Sequence, residues 1–252
     1  MSPAKTLNFD SICGKYQLEE PRFLKEAARI AEEMKKRSPE ELESLMKISP
    51  KLGEMNYKRF KEWSVNKRMG KPALLAFQGD VYRAMKAEDF TEEQLEFTNN
   101  HLRILSGLYG VIKPMDDIQP YRLEMGTPLS FRGSKNLYDY WSGKLTKYFK
   151  EELSKEANGA LINLASIEYS KAIDLQEIKK KYPVINISFK EYKNGKHQTI
   201  GIYSKRARGY MSKFIMENAI DNPEDIKEFS LEGYGFNSHM SSEEEYVFVA
   251  NR

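Results

Sequence analysis

Residues 184–204 read VINISFKEYKNGKHQTIGIYS, and this stretch decides the fold class. VINISFKEY and QTIGIYS are rich in β-branched and aromatic residues. The Asn194-Gly195 step between them supplies the positive φ angles of a type I′ turn, so the pair predicts a β-hairpin. Two further short apolar runs also read as strands: ALLAF before Gln78, and ALINLAS ending at Ser166. Each ends in polar residues followed by helix-compatible sequence. Elsewhere the signals are helical. SPEE from Ser38 offers an N-cap serine, a first-turn proline and Glu41 to close a capping box, and TEEQ from Thr91 repeats the logic with Gln94. Arg22 to Arg37 and Pro50 to Trp63 read as amphipathic helices. The prediction is a mixed α/β (α+β) chain: a mixed sheet flanked by helices, with at least one antiparallel hairpin and room for parallel pairs. Without solenoid repeats, low-complexity tracts or a flexible linker, residues 1–252 are expected to form a single compact domain.

Composition narrows the function classes. With 40% hydrophobic and 12% aromatic residues, the chain can bury a substantial core. Its 40 basic and 37 acidic residues leave a net charge of only +3, so polyanion binding must come from local clustering. The acidic run Glu243 to Glu245 and the lysine run Lys179 to Lys181 read as solvated faces. The single cysteine, Cys13, excludes an intramolecular disulfide, fits a reducing compartment and is expected to be an inert, partly buried thiol. No run approaches the roughly 20 apolar residues that span a bilayer, and the N-terminus has no signal-peptide core, so a cytoplasmic protein without a membrane partner is expected. His101, His197 and His239 lack metal-ligand spacing, and neither a P-loop, a G-x-S-x-G elbow nor a dinucleotide fingerprint occurs. No metal site and no cofactor are expected.

Three constellations carry the candidate chemistry. In HLRILSGLYGVIKPMDDIQPYRLEMG, from His101 to Gly126, Gly107 and Gly110 bracket a turn whose backbone N–H groups could approach a phosphate, or which could simply be close-packed. The segment after Pro120 should be extended, and alternation then sends Arg122 and Glu124 to one side, as a structural or a functional ion pair. In NLASIEYSKAI, a strand ending at Asn163 and Ser166 is followed by Glu168, Tyr169 and Lys171, the arrangement found at carboxyl ends of sheet strands where ligands bind; Ser166 as a mere N-cap over a core Tyr169 is the competing reading. In SKRARGYMSKFI, Lys205 and Arg208 share a helix face, with Lys213 less closely aligned, and Gly209 and Tyr210 lie beside them. This is the densest basic cluster, either an anion site or a solvated face.

Taken in order, SPAKTL at Ser2, ALLAFQGDVY to Tyr82, LRILSGLYGVIKPMDDIQPYRLEMG, LINLASIEYSKAI and SKRARGYMSKFI strongly resemble the bacterial YaaA family of peroxide stress resistance proteins, over essentially the whole chain. The resemblance implies a cytoplasmic protein that helps bacteria survive hydrogen peroxide by limiting free iron and so oxidative damage to DNA and protein. It also implies a single α/β domain of the YaaA type with a basic cleft and a helix-hairpin-helix-like element suited to DNA. The motif residues that coincide with the physical reading are Lys5, Asp80, Arg103, Ser106, Gly107, Tyr109, Gly110, Tyr121, Arg122, Glu124, Asn163, Ser166, Glu168, Tyr169, Lys171, Lys205, Arg208 and Lys213, expected to converge on one cleft. The chain departs from the family pattern twice. Only Met1 precedes SPAKT where a short apolar strand is usual; if that strand is missing, Ser2 and Lys5 are expected to be poorly held. Ile167 also stands where an acid is frequent before Glu168.

Two functions compete for this cleft. In the first, Lys205, Arg208, Lys213 and Arg122 meet the phosphates of DNA, duplex or with unpaired bases, in a sequence-tolerant way, while tyrosines stack on bases; four such contacts give a log K against log salt slope of about −3.6. In the second, the same cations clamp a small anionic or nucleotide-like metabolite, with Glu124, Glu168 or Lys5 as the catalytic candidates. An iron buffer ranks third, because its ligands would have to be mostly carboxylates.

Overall fold

The structure is a computed structural model that describes residues 1–10, 16–156, 159–193 and 195–251. Cys13 and Asn194, the subjects of two of the expectations above, lie outside the described residues. In chain order the elements are β1 (Thr6–Leu7), α1 (Leu24–Lys35), α2 (Pro39–Met46), α3 (Pro50–Glu62), α4 (Ala73–Ala76), β2 (Phe77–Gln78), α5 (Asp80–Met85), α6 (Glu92–His101), β3 (Ile104–Ser106), β4 (Gly110–Ile112), α7 (Leu137–Leu153), β5 (Leu161–Asn163), α8 (Ile167–Ser170), α9 (Leu175–Lys179), β6 (Val184–Lys193), β7 (Lys196–Gln198), α10 (Gly201–Glu217), β8 (Tyr234–Phe236) and β9 (Glu245–Asn251). This is the expected mixed α/β fold. The chain forms two compact units, each assembled from three separated segments: Met1–Phe77, Leu102–Lys147 and Ala165–Asp174 in the first, and Gln78–His101, Tyr148–Leu164 and Leu175–Arg252 in the second. Among the described residues, no helix is long and apolar enough to cross a membrane.

In the first unit the helices begin where the caps predict. Ser38 accepts from the Glu41 N–H at 3.2 Å while the Glu41 carboxylate accepts from the Ser38 N–H at 2.7 Å, a complete capping box at the start of α2. α1 buries Leu24, Ala27, Ile30, Ala31 and Met34, the stripe that a 3.6-residue period gives. β3 and β4 pair antiparallel, Ser106 opposite Gly110, around the GLYG turn. Met1 adds to this hairpin: its ammonium donates to the Arg103 carbonyl at 2.7 Å and its carbonyl accepts from the Leu105 N–H at 2.9 Å. Ser2 and Lys5 therefore follow an anchored residue, contrary to the expectation that they would be poorly held.

In the second unit β6 is the spine of a mixed sheet. β5 and β9 pair with it in parallel, β8 pairs antiparallel with β9, and β7 folds back antiparallel on the end of β6. Phe189, Phe229 and Phe248 fill the space behind it, Phe229 and Phe248 edge to face at 5.5 Å. Thr91 and Gln94 close the second capping box, at α6, with bonds of 2.9 and 3.2 Å. α10 packs on α5 at Gly209, where a Cβ would stand 2.1 Å from the Val81 carbonyl oxygen; only glycine permits this approach.

Two strand assignments need correction. ALLAF is one helical turn, α4, with Pro72 at its start accepting from Leu75 and Ala76, and only Phe77–Gln78 is extended. A five-residue apolar run does not by itself distinguish a buried helix from a strand. QTIGIYS contributes only Gln198 to β7, and α10 begins at Gly201. β7 pairs with Glu191 to Lys193 and β5 with Val184 to Asn186, so Ile187 to Lys190 pair with neither, the chain having left the sheet for the helix after Gln198.

Candidate functional site

The first unit builds a mixed-charge group from three motifs. The chain from Tyr121 to Met125 runs extended without joining a sheet, and alternation sorts it: Tyr121, Leu123 and Met125 are buried, Arg122 and Glu124 half-buried on the other side. It crosses the β3–β4 turn at Gly107, where a Cβ would stand only 2.4 Å from the Leu123 carbonyl oxygen. This close crossing fixes the height at which Arg122 and Glu124 are presented. As expected from the spacing, the two side chains meet, Arg122 donating to one carboxylate oxygen of Glu124 at 3.0 Å. The other oxygen takes the Lys5 ammonium at 2.8 Å. The Arg122 Nε is buried without a hydrogen-bond partner.

NLASIEYSKAI completes the group. Ser166 precedes α8 as the N-cap residue, but its side chain accepts no cap hydrogen bond; instead its N–H donates to the Ser2 hydroxyl at 2.8 Å. Glu168 accepts the Gly126 N–H at 3.1 Å. Tyr169 is 7% exposed, and its hydroxyl is held well above the usual phenol range, first by burial and then by Tyr121, Glu168 and Glu124. Tyr138, absent from the sequence reading, is raised by burial and by Glu168. Lys5, Arg122, Glu124, Ser166, Glu168 and Tyr169 are thus gathered in one region, whereas Lys171 is exposed at the end of α8. Ile167 is 73% exposed, so an acid at that position would face solvent.

Beneath this group the GLYG turn is structural, which corrects its assignment as an anion cradle. Ser106 Oγ accepts from the N–H groups of Leu108 and Tyr109 at 3.2 and 3.0 Å, leaving its own hydrogen for the Tyr121 hydroxyl at 2.7 Å. Tyr109 Oη accepts from Trp63 Nε1 and the Gln119 N–H at 3.0 and 3.1 Å, and burial pushes it up to about 12. Trp141 Nε1 takes the Gly107 carbonyl at 3.0 Å. With Ser106, Leu108 and Tyr109 fully buried, these donors are spent internally, and neither Tyr109 nor Tyr121 can stack on a base. The glycines lie in a β-hairpin, so this stretch does not form the helix-hairpin-helix element that the resemblance implied. Arg103 donates to its neighbour's carbonyl, Leu102, and adds positive charge at Asp116.

Asp116 is the residue that sequence reasoning missed. It is 1% exposed, accepts the Lys113 N–H at 2.8 Å through Oδ2, and its Oδ1 is buried without a hydrogen-bond partner. Burial, reinforced by Glu19, pushes it up to about 7 against the opposing Lys113 N–H and the Lys113 and Arg103 cations. The available signal was a paired acid, Asp116-Asp117, directly after an apolar hairpin.

The remaining candidates belong to the second unit. Asn163 donates to Asn186 at 2.8 Å across the β5–β6 pair, a ladder role. Asp80 pairs with Arg83 at 2.9 Å in the first turn of α5. On α10, Arg206 reaches the Tyr210 hydroxyl at 3.2 Å and Lys213 reaches Glu217 at 3.5 Å. Lys205 is exposed and Arg208 half-buried, its Nε lacking a hydrogen-bond partner; burial lowers the Arg208 guanidinium from its ordinary value. Among the described residues, neither has an ion pair.

Compared with known proteins, the family model described as peroxide stress protein YaaA matches residues 1–240. A UPF0246 protein of Clostridium botulinum strain Eklund 17B is 45% identical over 250 residues, covering 99% of this chain and 97% of the relative. One from Acaryochloris marina is 45% identical over 253 residues (100% and 98%), and one from Saccharophagus degradans 42% identical over 251 residues (99% and 97%).

Proposed function

From the premise that the chain belongs to the peroxide stress protein YaaA family, we propose that it acts in peroxide-stress defence in the cytoplasm by binding DNA through α10 and so limiting iron-driven damage. The carrying observation is the charge of that helix. Lys205, Arg206, Arg208 and Lys213 precede its only acid, Glu217, and Lys205 and Arg208 have no carboxylate partner among the described residues. By comparison, Lys35 of α1 and Lys58 of α3 sit against a glutamate one turn away. A phosphate offers the planar guanidinium of Arg208 the bidentate acceptor that the protein does not supply. Contacts to phosphate carry no base identity, so binding is sequence-tolerant. With Lys205, Arg208 and Lys213 each on a phosphate, log K falls with log salt at a slope of about −2.7 on duplex DNA. Fluorescence anisotropy at several salt concentrations tests this: Arg208→Ala flattens the slope by about 0.9. A slope near zero, or an unaltered one in Arg208→Ala, refutes the assignment.

A second reading, an enzyme acting on a small anionic or nucleotide-like metabolite, is favoured by the first unit. There Lys5 and Arg122 are balanced by Glu124, with Glu168 beside them, a charge balance that suits a small ligand better than a polyanion. Tyr169, kept neutral by its surroundings, would be a proton donor, and Glu168 the base. A nucleotide or sugar phosphate that raises the melting temperature of wild type but not of Lys5→Ala supports this reading; a panel without any such shift removes it.

A further inference from the structure

We propose that the β6–β7 hairpin is a stacking platform for unpaired bases, with Tyr192 and His197 presenting their rings and Lys190, Lys193 and Lys196 meeting the backbone. This rests on the DNA reading and goes beyond it by naming the form of DNA that the protein holds: a strand whose bases are unpaired. The tyrosines of the central motif and of NLASIEYSKAI cannot serve, because Tyr109, Tyr121 and Tyr169 are all buried. Tyr192 is 43% exposed and is the one aromatic among the exposed large hydrophobics of the described residues.

The register aligns the two rings. Tyr192 stands opposite His197 in the antiparallel pair, so both side chains leave the same face, with centroids 4.9 Å apart and planes inclined at 47°. Strand alternation puts Lys190 on that face too, and sends the opposed pair Lys193 and Lys196 to the other side of the tip. From Lys190 to Arg208 the only acid is Glu191, which is buried and bonded to the Tyr234 hydroxyl. After Gln198 only two residues intervene before α10, so the hairpin leads directly into the helix that carries Lys205 and Arg208.

Lysines on an edge strand guard against pairing with another sheet, and a cross-strand ring pair stiffens a hairpin. Those roles account for the lysines and for the pairing. They do not account for an open tyrosine ring on a cationic strand end, where a threonine or valine would stiffen the strand while exposing less apolar surface. Open rings flanked by cations, in a segment from Lys190 to Arg208 that carries no exposed acid, form the combination that holds single strands by base stacking and phosphate contact. In a duplex the base faces are occupied by their neighbours, so the platform engages only unpaired bases.

The test is an anisotropy titration of labelled oligo-dT and of a blunt duplex of equal length, with wild type, Tyr192→Val, Tyr192→Phe, His197→Thr and Arg208→Ala, melting temperatures being recorded for each. Tyr192→Val is expected to weaken oligo-dT binding about tenfold and leave duplex binding within about twofold, the loss of one stacked base. Tyr192→Phe keeps wild-type affinity, His197→Thr weakens oligo-dT alone, and Arg208→Ala weakens both DNAs. If Tyr192→Val binds oligo-dT like wild type while Arg208→Ala is impaired, the platform is wrong and the DNA reading stands. Equal losses on both DNAs in Tyr192→Val also overturn it. If wild type binds neither DNA, both proposals fall.

Discussion

Gly107→Ala tests the claim that a close backbone crossing sets the height of the Arg122–Glu124 pair. The added Cβ would stand 2.4 Å from the Leu123 carbonyl oxygen and 3.1 Å from the carbonyl carbons of Leu123 and Glu124. The obstacle is backbone, so no side-chain rotation relieves it, and the extended chain or the turn must retreat by about 1 Å to reach ordinary contact. Retreat of the chain stretches the 2.7 Å bond between Ser106 and Tyr121 and withdraws Arg122 and Glu124 from Lys5. Overpacking of this kind costs about 1–3 kcal/mol, and the rigidity of both partners places it near 3. For a chain of this size, that lowers Tm by about 6–12 °C. Gly143→Ala in α7 is the control, since its Cβ would meet nothing within 4 Å. There alanine should stabilise by about 0.5–1 kcal/mol through helix propensity. Differential scanning fluorimetry of both variants decides the matter. A Gly107→Ala melting temperature within 2 °C of wild type, to within about the error of such measurements, would refute the crossing as the element that holds the site.

Ser106→Ala strands the N–H groups of Leu108 and Tyr109 and the Tyr121 hydroxyl in a dry environment, and urea titration should read a loss of about 2–3 kcal/mol. Asp116 gives a pH signature. Its folded value of about 7 lies above the unfolded one near 3.8, so the fold binds the extra proton between these values, and stability present below pH 4 is lost as pH rises towards 7. Asp116→Asn should abolish that decline and leave the protein more stable than wild type at pH 8, by no more than about 4 kcal/mol; a parallel pair of stability–pH curves would contradict the assignment. Gly209→Ala drives a Cβ to within 2.1 Å of the Val81 carbonyl oxygen and should separate α10 from α5, lowering Tm and duplex affinity together, where Arg208→Ala lowers affinity alone.

What the sequence made legible was local. Capping boxes at Ser38 and Thr91 act through atoms within four residues, and both formed. The Arg122–Glu124 pair follows from alternation after a proline, and it formed without any strand partner. What escaped was decided by distant chain. ALLAF became a helical turn because nothing in five apolar residues excludes one. The second hairpin strand stopped at Gln198 because the chain turns into α10 at Gly201, and Ile187 to Lys190 pair with neither β5 nor β7. Asp116 was not legible, because its raised value comes first from burial and then from Glu19, both set by distant chain, against the lowering effect of Lys113 and Arg103.

The five motifs that carry the family resemblance sort by physical role, and the sorting changes what each can be asked to do. SPAKTL, the central stretch and NLASIEYSKAI meet in the first unit through Lys5–Glu124, Ser2–Ser166 and Gly126–Glu168, so substitutions in any one should disturb the others. ALLAFQGDVY and SKRARGYMSKFI are joined at Val81 and Gly209, a packing constraint beside which Lys205 and Arg206 are exposed and Arg208 and Lys213 half-buried. Glycine in the last motif is thus explained by helix packing, and its lysines and arginines are not. The proposed DNA contact rests on this remainder: among the described residues Lys205 and Arg208 have no ion pair, whereas Lys213 reaches Glu217. The same logic separates Ile167 from Glu168: the former faces solvent and bonds nothing through its side chain, so replacing it with an acid should leave the Glu168–Gly126 contact and the neutrality of Tyr169 in place, whereas Glu168→Gln should bring the Tyr138 and Tyr169 hydroxyls down towards the ordinary phenol range, by removing a negative charge that both of them feel.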